Sequence, residues 1–148
     1  MAGSLWFICA VSTAIMWGYS YALSDKVMRN EITPIFLMIV TGIIYLGFSL
    51  VIGLATNQLK DGFNLMFSNR SLFLEIMIIS ACYVAGTFLI YVAINLKNAT
   101  AVNLIEISYP LFTMIFAYWI LKEVQINIGT AIGGAFILFG IVIMYLKG

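Results

Sequence analysis

The sequence predicts an all-α membrane protein with five transmembrane helices, and three observations carry that prediction. Of 148 residues, 64% are hydrophobic and only 9% charged, whereas soluble domains carry about 25% charged residues. Apolar runs recur at Leu5–Leu23, Ile35–Ala55, Leu72–Asn95, Ala101–Leu121 and Asn127–Leu146. Each is about 20 residues long, which at a helical rise of about 1.5 Å per residue spans a hydrocarbon core of about 30 Å. The runs do not alternate in polarity as membrane β-strands of about 10 residues would. Helices, which satisfy their own backbone in lipid, are therefore the expected form. No polar stretch is long enough to wrap a soluble core, so 1–148 is expected to be a single transmembrane domain.

The amino terminus, MAGSLWF, has no basic flank of a signal peptide before the first run, which is expected to be a retained span. Ser24 to Pro34 is a charged loop holding Asp25, Lys26, Arg29 and Glu31. Within it Thr33-Pro34 suits an N-cap with proline at the first helical position. Thr56 to Ser71 is the longest connection. Its Leu59, Phe63, Met66 and Phe67 recur at helical spacing, so a short interfacial helix and a plain loop are both open. Lys97-Asn98 and Lys122-Glu123 read as tight turns. Lys60, Arg70 and Lys122 fall on one side of the membrane, and Lys26, Arg29, Lys97 and Lys147 on the other. So even a split assigns no orientation and permits insertion both ways up.

Composition also excludes. The net charge is +1 with scattered Lys and Arg, so nucleic acid is not an expected partner. Histidine is absent, which removes the commonest metal ligand and acid–base side chain. No metal site, cofactor motif or catalytic motif is recognisable, and an enzyme is not expected. Cys9 and Cys82 lie far apart inside apolar runs and are expected to pack as small buried residues.

Polar residues inside the spans are the candidate functional set. Glu106 lies within the fourth run. A carboxylate near the bilayer centre costs about 2.5–3.5 kcal/mol on insertion scales. Asn103, Glu106, Pro110 and Thr113 follow at spacings of three, four and three, which places them on one helical face with Tyr109 beside them. Pro110 has no N–H for the carbonyl one turn earlier, that of Glu106, and is expected to kink the helix. The third run carries Ser80, Tyr83, Thr87 and Tyr91 as a second stripe, with Ala81, Ala85 and Gly86 on the adjoining arc. The first run places Thr13, Trp17 and Ser20 on one face. Trp17 is too deep for a headgroup anchor, whereas Trp6 and Trp119 lie near span ends and read as belt residues. Glu75 is close enough to a span end to reach water. In the fifth run Gly129, Gly133 and Gly140 share a face, with Gly134 beside it, and would allow close helix packing or a dimer seam. For each stripe, cavity lining and interhelical bonding both remain open.

Several segments taken in order are similar to the EamA-type repeat of the drug/metabolite transporter superfamily. They are Trp17-Gly18, EISYPLFT at Glu106–Thr113, the acidic turn at Glu123, and GGAFILFG at Gly133–Gly140. The resemblance covers nearly the whole chain. It implies one half of a ten-helix inverted-repeat transporter, with a central cavity built by the first, third and fourth helices of each repeat. It implies substrates among small metabolites, amino acids, sugars or drugs, commonly exported. Two departures stand out. Lys122-Glu123 replaces the usual Gly-Glu, and one repeat is present instead of two.

An odd number of spans means that a second, oppositely inserted copy would rebuild the inverted repeat. An antiparallel homodimer or a second five-helix subunit is therefore the expected partner, beside the lipid bilayer and a small-molecule substrate. In the leading reading Glu106 exchanges a proton for substrate, since burial disfavours a charged carboxyl. Asn103 and Thr113 hydrogen-bond the ligand, and Trp17, Tyr83, Tyr91 and Tyr109 form aromatic walls, with Thr87 on the same stripe. The alternative is a structural or regulatory membrane subunit, or a small pore, without a transport cycle. A prokaryotic inner membrane is the expected location.

Overall fold

The computed structural model describes residues 2–122 and 127–147, with side chains from residue 5 onward. The turn expected at Glu123 lies outside the described residues. Among those residues there are seven helices: α1 (Ala2–Met28), α2 (Pro34–Ala55), α3 (Gln58–Ser68), α4 (Arg70–Leu96), α5 (Ala99–Glu106), α6 (Tyr109–Leu121) and α7 (Ile128–Lys147). Five segments are long and apolar enough to cross a membrane: Leu5–Met28, Pro34–Ala55, Arg70–Leu96, Ala99–Leu121 and Ile128–Lys147. They match the five expected runs, with ends that coincide or differ by at most five residues.

The chain divides into two compact units. One is Tyr19–Lys97, and the other joins Met1–Gly18 to Asn98–Gly148. In the first unit α2, α3 and α4 pack on one another. Thr33 caps α2 by accepting a hydrogen bond from the N–H of Phe36 at 3.2 Å, and Pro34 opens the helix. The long connection does hold a helix, α3. Leu59 at its start lies against Gly53 of α2, where an added Cβ would come within 2.9 Å of Leu59 Cγ. Phe63 and Phe67 stack with ring centroids 6.2 Å apart, and Phe67 meets Phe73 at the start of α4. Asn69 then caps α4, its Oδ1 accepting from the N–H groups of Ser71 and Leu72 at 3.0 and 3.3 Å.

The first loop is shorter than expected. Asp25 and Lys26 belong to the last turns of α1, not to a connection. Local bonds extend the helix there. Ser24 Oγ donates to Ser20 O at 2.9 Å, and Arg29 Nε donates to Asp25 Oδ1 at 2.8 Å. That hydrogen bond first, and the carboxylate charge second, push the already high pKa of Arg29 further up. The chain leaves the helix through Glu31 in the left-handed region at φ 67°.

The largest departure is in the fourth span, which is two helices. Ile107 and Ser108 interrupt it with tightened bonds: Ser108 N–H donates to Ile105 O at 3.1 Å, and Leu111 N–H to Ser108 O at 2.9 Å. Pro110, which has no N–H for the Glu106 carbonyl, stands directly after this break. It sits in the first turn of α6, where a backbone N–H has no intrahelical acceptor to lose. Asn98 caps the other segment, accepting from Ala101 N–H at 2.8 Å.

Few residues are covered within the chain. The described core is Met28, Tyr91, Ile94, Ala99, Ser24 and Gly134. Cys9 and Cys82 are exposed free thiols, not buried packing residues. The reason is the solvent: a side chain facing lipid needs no cover from its own chain.

Candidate functional site

A concavity lined by span residues lies between α6 and α7, within one unit. It is an open groove of about 590 Å³, inside the range of about 300–1,000 Å³ usual for small-molecule sites. Tyr109, Pro110 and Thr113 line it from α6, and Thr130, Gly133 and Ile137 from α7. The two helices approach closely at Gly134, where a Cβ would fall 2.6 Å from Leu111 Cδ2. Glycine at that position lets α7 lie against α6 and sets the floor of the groove.

Two hydroxyls mark its polar edge. Thr113 Oγ1 donates to Tyr109 O at 3.1 Å, and Thr130 Oγ1 donates to Asn127 Oδ1 at 3.1 Å. A hydroxyl has one proton to give and two lone pairs. Both protons are committed, so these oxygens offer a ligand acceptor sites only. Tyr109 is more than half exposed and supplies an aromatic wall.

The structure thus brings together Tyr109, Pro110, Thr113 and Gly133 of the expected set. Asn103 and Glu106 are half-buried on α5 and are not among the residues lining this groove. Their shared face with Thr113 is interrupted, because α5 ends at Glu106 and α6 begins at Tyr109. On α4 the stripe runs from Tyr83, 72% exposed, through half-buried Thr87 to buried Tyr91. It belongs to the other unit, while Trp17, about half exposed, belongs to the same unit as the groove. Close packing of α7 falls on Gly134. Gly133 and Gly140 face open space, and Gly129 meets only Asn127 Oδ1 at 3.2 Å. Thr130 is a lining residue that the sequence reading missed. Its signal was a hydroxyl one position from Gly129, on a helix read only for its glycines. Among the described residues no group of three or more His, Cys, Asp or Glu converges on a metal position.

Five apolar helices of spanning length and an interrupted fourth span define an integral, multi-pass membrane protein. Residues 4–146 match the EamA-like transporter family, and the chain belongs to that family. No match was found among curated proteins, and none among solved structures.

Proposed function

We propose that this chain is one half of a secondary transporter for small molecules, working as a dimer, with Glu106 as its coupling residue. The observation that carries the reading is the interruption of the fourth span directly after Glu106. Broken helices at membrane depth are tolerated where they line a cavity or are covered by protein, and transporters place substrate and ion sites at such breaks. Family membership supports the same class. The two threonine hydroxyls, with their protons committed, favour substrates that donate hydrogen bonds, cations among them, and the Tyr109 ring suits a cation or a flat ligand. No catalytic step is assigned to any residue.

Reconstituted vesicles test the coupling role. An imposed proton gradient should drive uptake of a hydrogen-bond-donating substrate by wild type, and Glu106→Gln should abolish that dependence while leaving substrate binding measurable. Unchanged gradient-driven flux in the variant rejects the role of Glu106. The partner is an oppositely oriented second copy in our reading, because the Lys and Arg split favours neither orientation. Mapping both termini of the cellular protein should find both orientations. A single orientation leaves only a parallel dimer or a second five-helix subunit.

A further inference from the structure

A second pocket lies in the other unit, where α1 and α4 end. It measures about 210 Å³ and is lined by Asp25, Met28, Arg29, Ile94, Asn95 and Lys97. Its base is the best-covered part of that unit. Ile94 is 2% exposed and Met28 6%, with Ser24 and Tyr91 also buried on the same two helices. Its rim is polar. Arg29 and Lys97 are the residues immediately following the spans Leu5–Met28 and Arg70–Leu96, so both cations stand at headgroup level.

The charges do not cancel. Asp25 offsets Arg29 through the 2.8 Å bond to Nε, with Nη2 3.5 Å from Oδ2. The Lys97 ammonium and the Asn95 amide have no hydrogen-bond partner among the described residues. Two cations against one carboxylate leave a single positive charge, beside an amide with two N–H donors. A phosphodiester carries one negative charge and oxygens that only accept.

We propose that this pocket binds the phosphodiester of an anionic phospholipid, with Lys97 as the principal cation and Arg29 and Asn95 completing the seat. A lipid fits better than a free phosphate because Leu23, Val27 and Leu96 are exposed apolar residues within two turns on the same helices. Acyl chains would lie along them while the phosphate meets the rim. Asp25 holds Arg29 in place and also limits the seat to one negative charge. The site is independent of the transport reading, since it uses no residue of the groove or of Glu106.

Native mass spectrometry of the full chain released from nanodiscs tests it. Wild type should retain phosphatidylglycerol over phosphatidylcholine. Lys97→Gln should weaken that retention about five-fold, the change equivalent to about 1 kcal/mol per cation near a membrane surface. Lys97→Arg should restore it, and Lys60→Gln on α3 should leave it unchanged, which separates a seat from general surface charge. Equal retention in wild type and Lys97→Gln overturns the proposal, and so does an equal loss in Lys60→Gln. A competition arm with glycerol 3-phosphate separates the sources. If that soluble ester binds while phosphatidylglycerol is retained no better than phosphatidylcholine, the lipid assignment is wrong.

Discussion

Lys122 ends α6 in the left-handed region, at φ 58° and ψ 26°, with its N–H donating to Tyr118 O at 3.1 Å. Glycine is the residue that accepts this geometry freely. An L side chain there crowds its Cβ against the following carbonyl at a cost of about 1–2 kcal/mol. Replacing Lys122 by Gly removes that cost but frees the unfolded chain, which returns about 0.4–1 kcal/mol. It also deletes a cation at a helix C-terminus worth about 0.3–1 kcal/mol. Against wild type these terms nearly cancel, so Lys122→Gly alone decides nothing. Lys122→Ala loses the same charge and keeps the Cβ. The Gly variant should therefore exceed the Ala variant by about 0.5–1 kcal/mol, measured by reversible unfolding in mixed micelles. The same pair at Glu31, φ 67°, should give a difference of the same sign. At Asn57, φ 55°, wild type should already lie nearer the Gly variant, because asparagine tolerates this region. Alanine variants as stable as glycine variants at both Glu31 and Lys122 would refute the assignment of left-handed caps.

Two further perturbations read the local structure. Asn69→Ala and Asn98→Ala each remove a side-chain cap and should each cost about 1 kcal/mol in the same unfolding assay. Asn57→Gly removes no such bond, since Asn57 makes none at α3, and it keeps the left-handed geometry, so it serves as the contrast. Gly134→Val places a branched side chain where a single Cβ already comes within 2.6 Å of Leu111. It should destabilise the chain by about 1–3 kcal/mol, whereas Gly133→Ala meets nothing within 4 Å and should not. If Gly133→Ala nonetheless lowers the dimer fraction in light scattering, the open face of α7 is a seam between chains.

Much of this was legible in sequence because lipid imposes a length and a polarity on every span. The five runs rested on that constraint, the Thr33-Pro34 helix start on capping chemistry, and the family resemblance on short motifs in order. What was not legible is where helices stop. A single serine at Ser108 does not mark a break in a span, and Pro110 fits a kink as well as a new first turn. The extension of α1 past Leu23 carries the Asp25–Arg29 pair at its end, which composition reads only as a charged loop. The groove was half visible: Tyr109, Pro110 and Thr113 came from periodicity. Thr130 and the contact at Gly134 depend on which side of α7 meets α6, and adjacent glycines leave that choice open.

Hydrogen bonding sorts the polar residues of the spans into two kinds. Thr13, Ser80 and Thr113 each donate to the carbonyl four residues back, at 2.9, 2.8 and 3.1 Å. Such hydroxyls are comfortable in lipid without any partner, and their presence in a stripe argues for no cavity. Asn103, Trp17, Tyr83, Thr87 and Tyr109 make no side-chain hydrogen bond among the described residues. An amide, indole N–H or phenol held in hydrocarbon without a bond costs free energy that a natural span avoids. These five must meet water, a ligand or another chain. Tyr83 at 72% exposed and Trp17 at 51% are open to such partners from outside the chain. That need fits a half-transporter whose cavity is closed by a second subunit. Cysteines placed at Thr87 and Asn103 separate the outcomes: labelling by a membrane-impermeant reagent marks a wet cavity, and protection that is lost on dimer dissociation marks a protein seam.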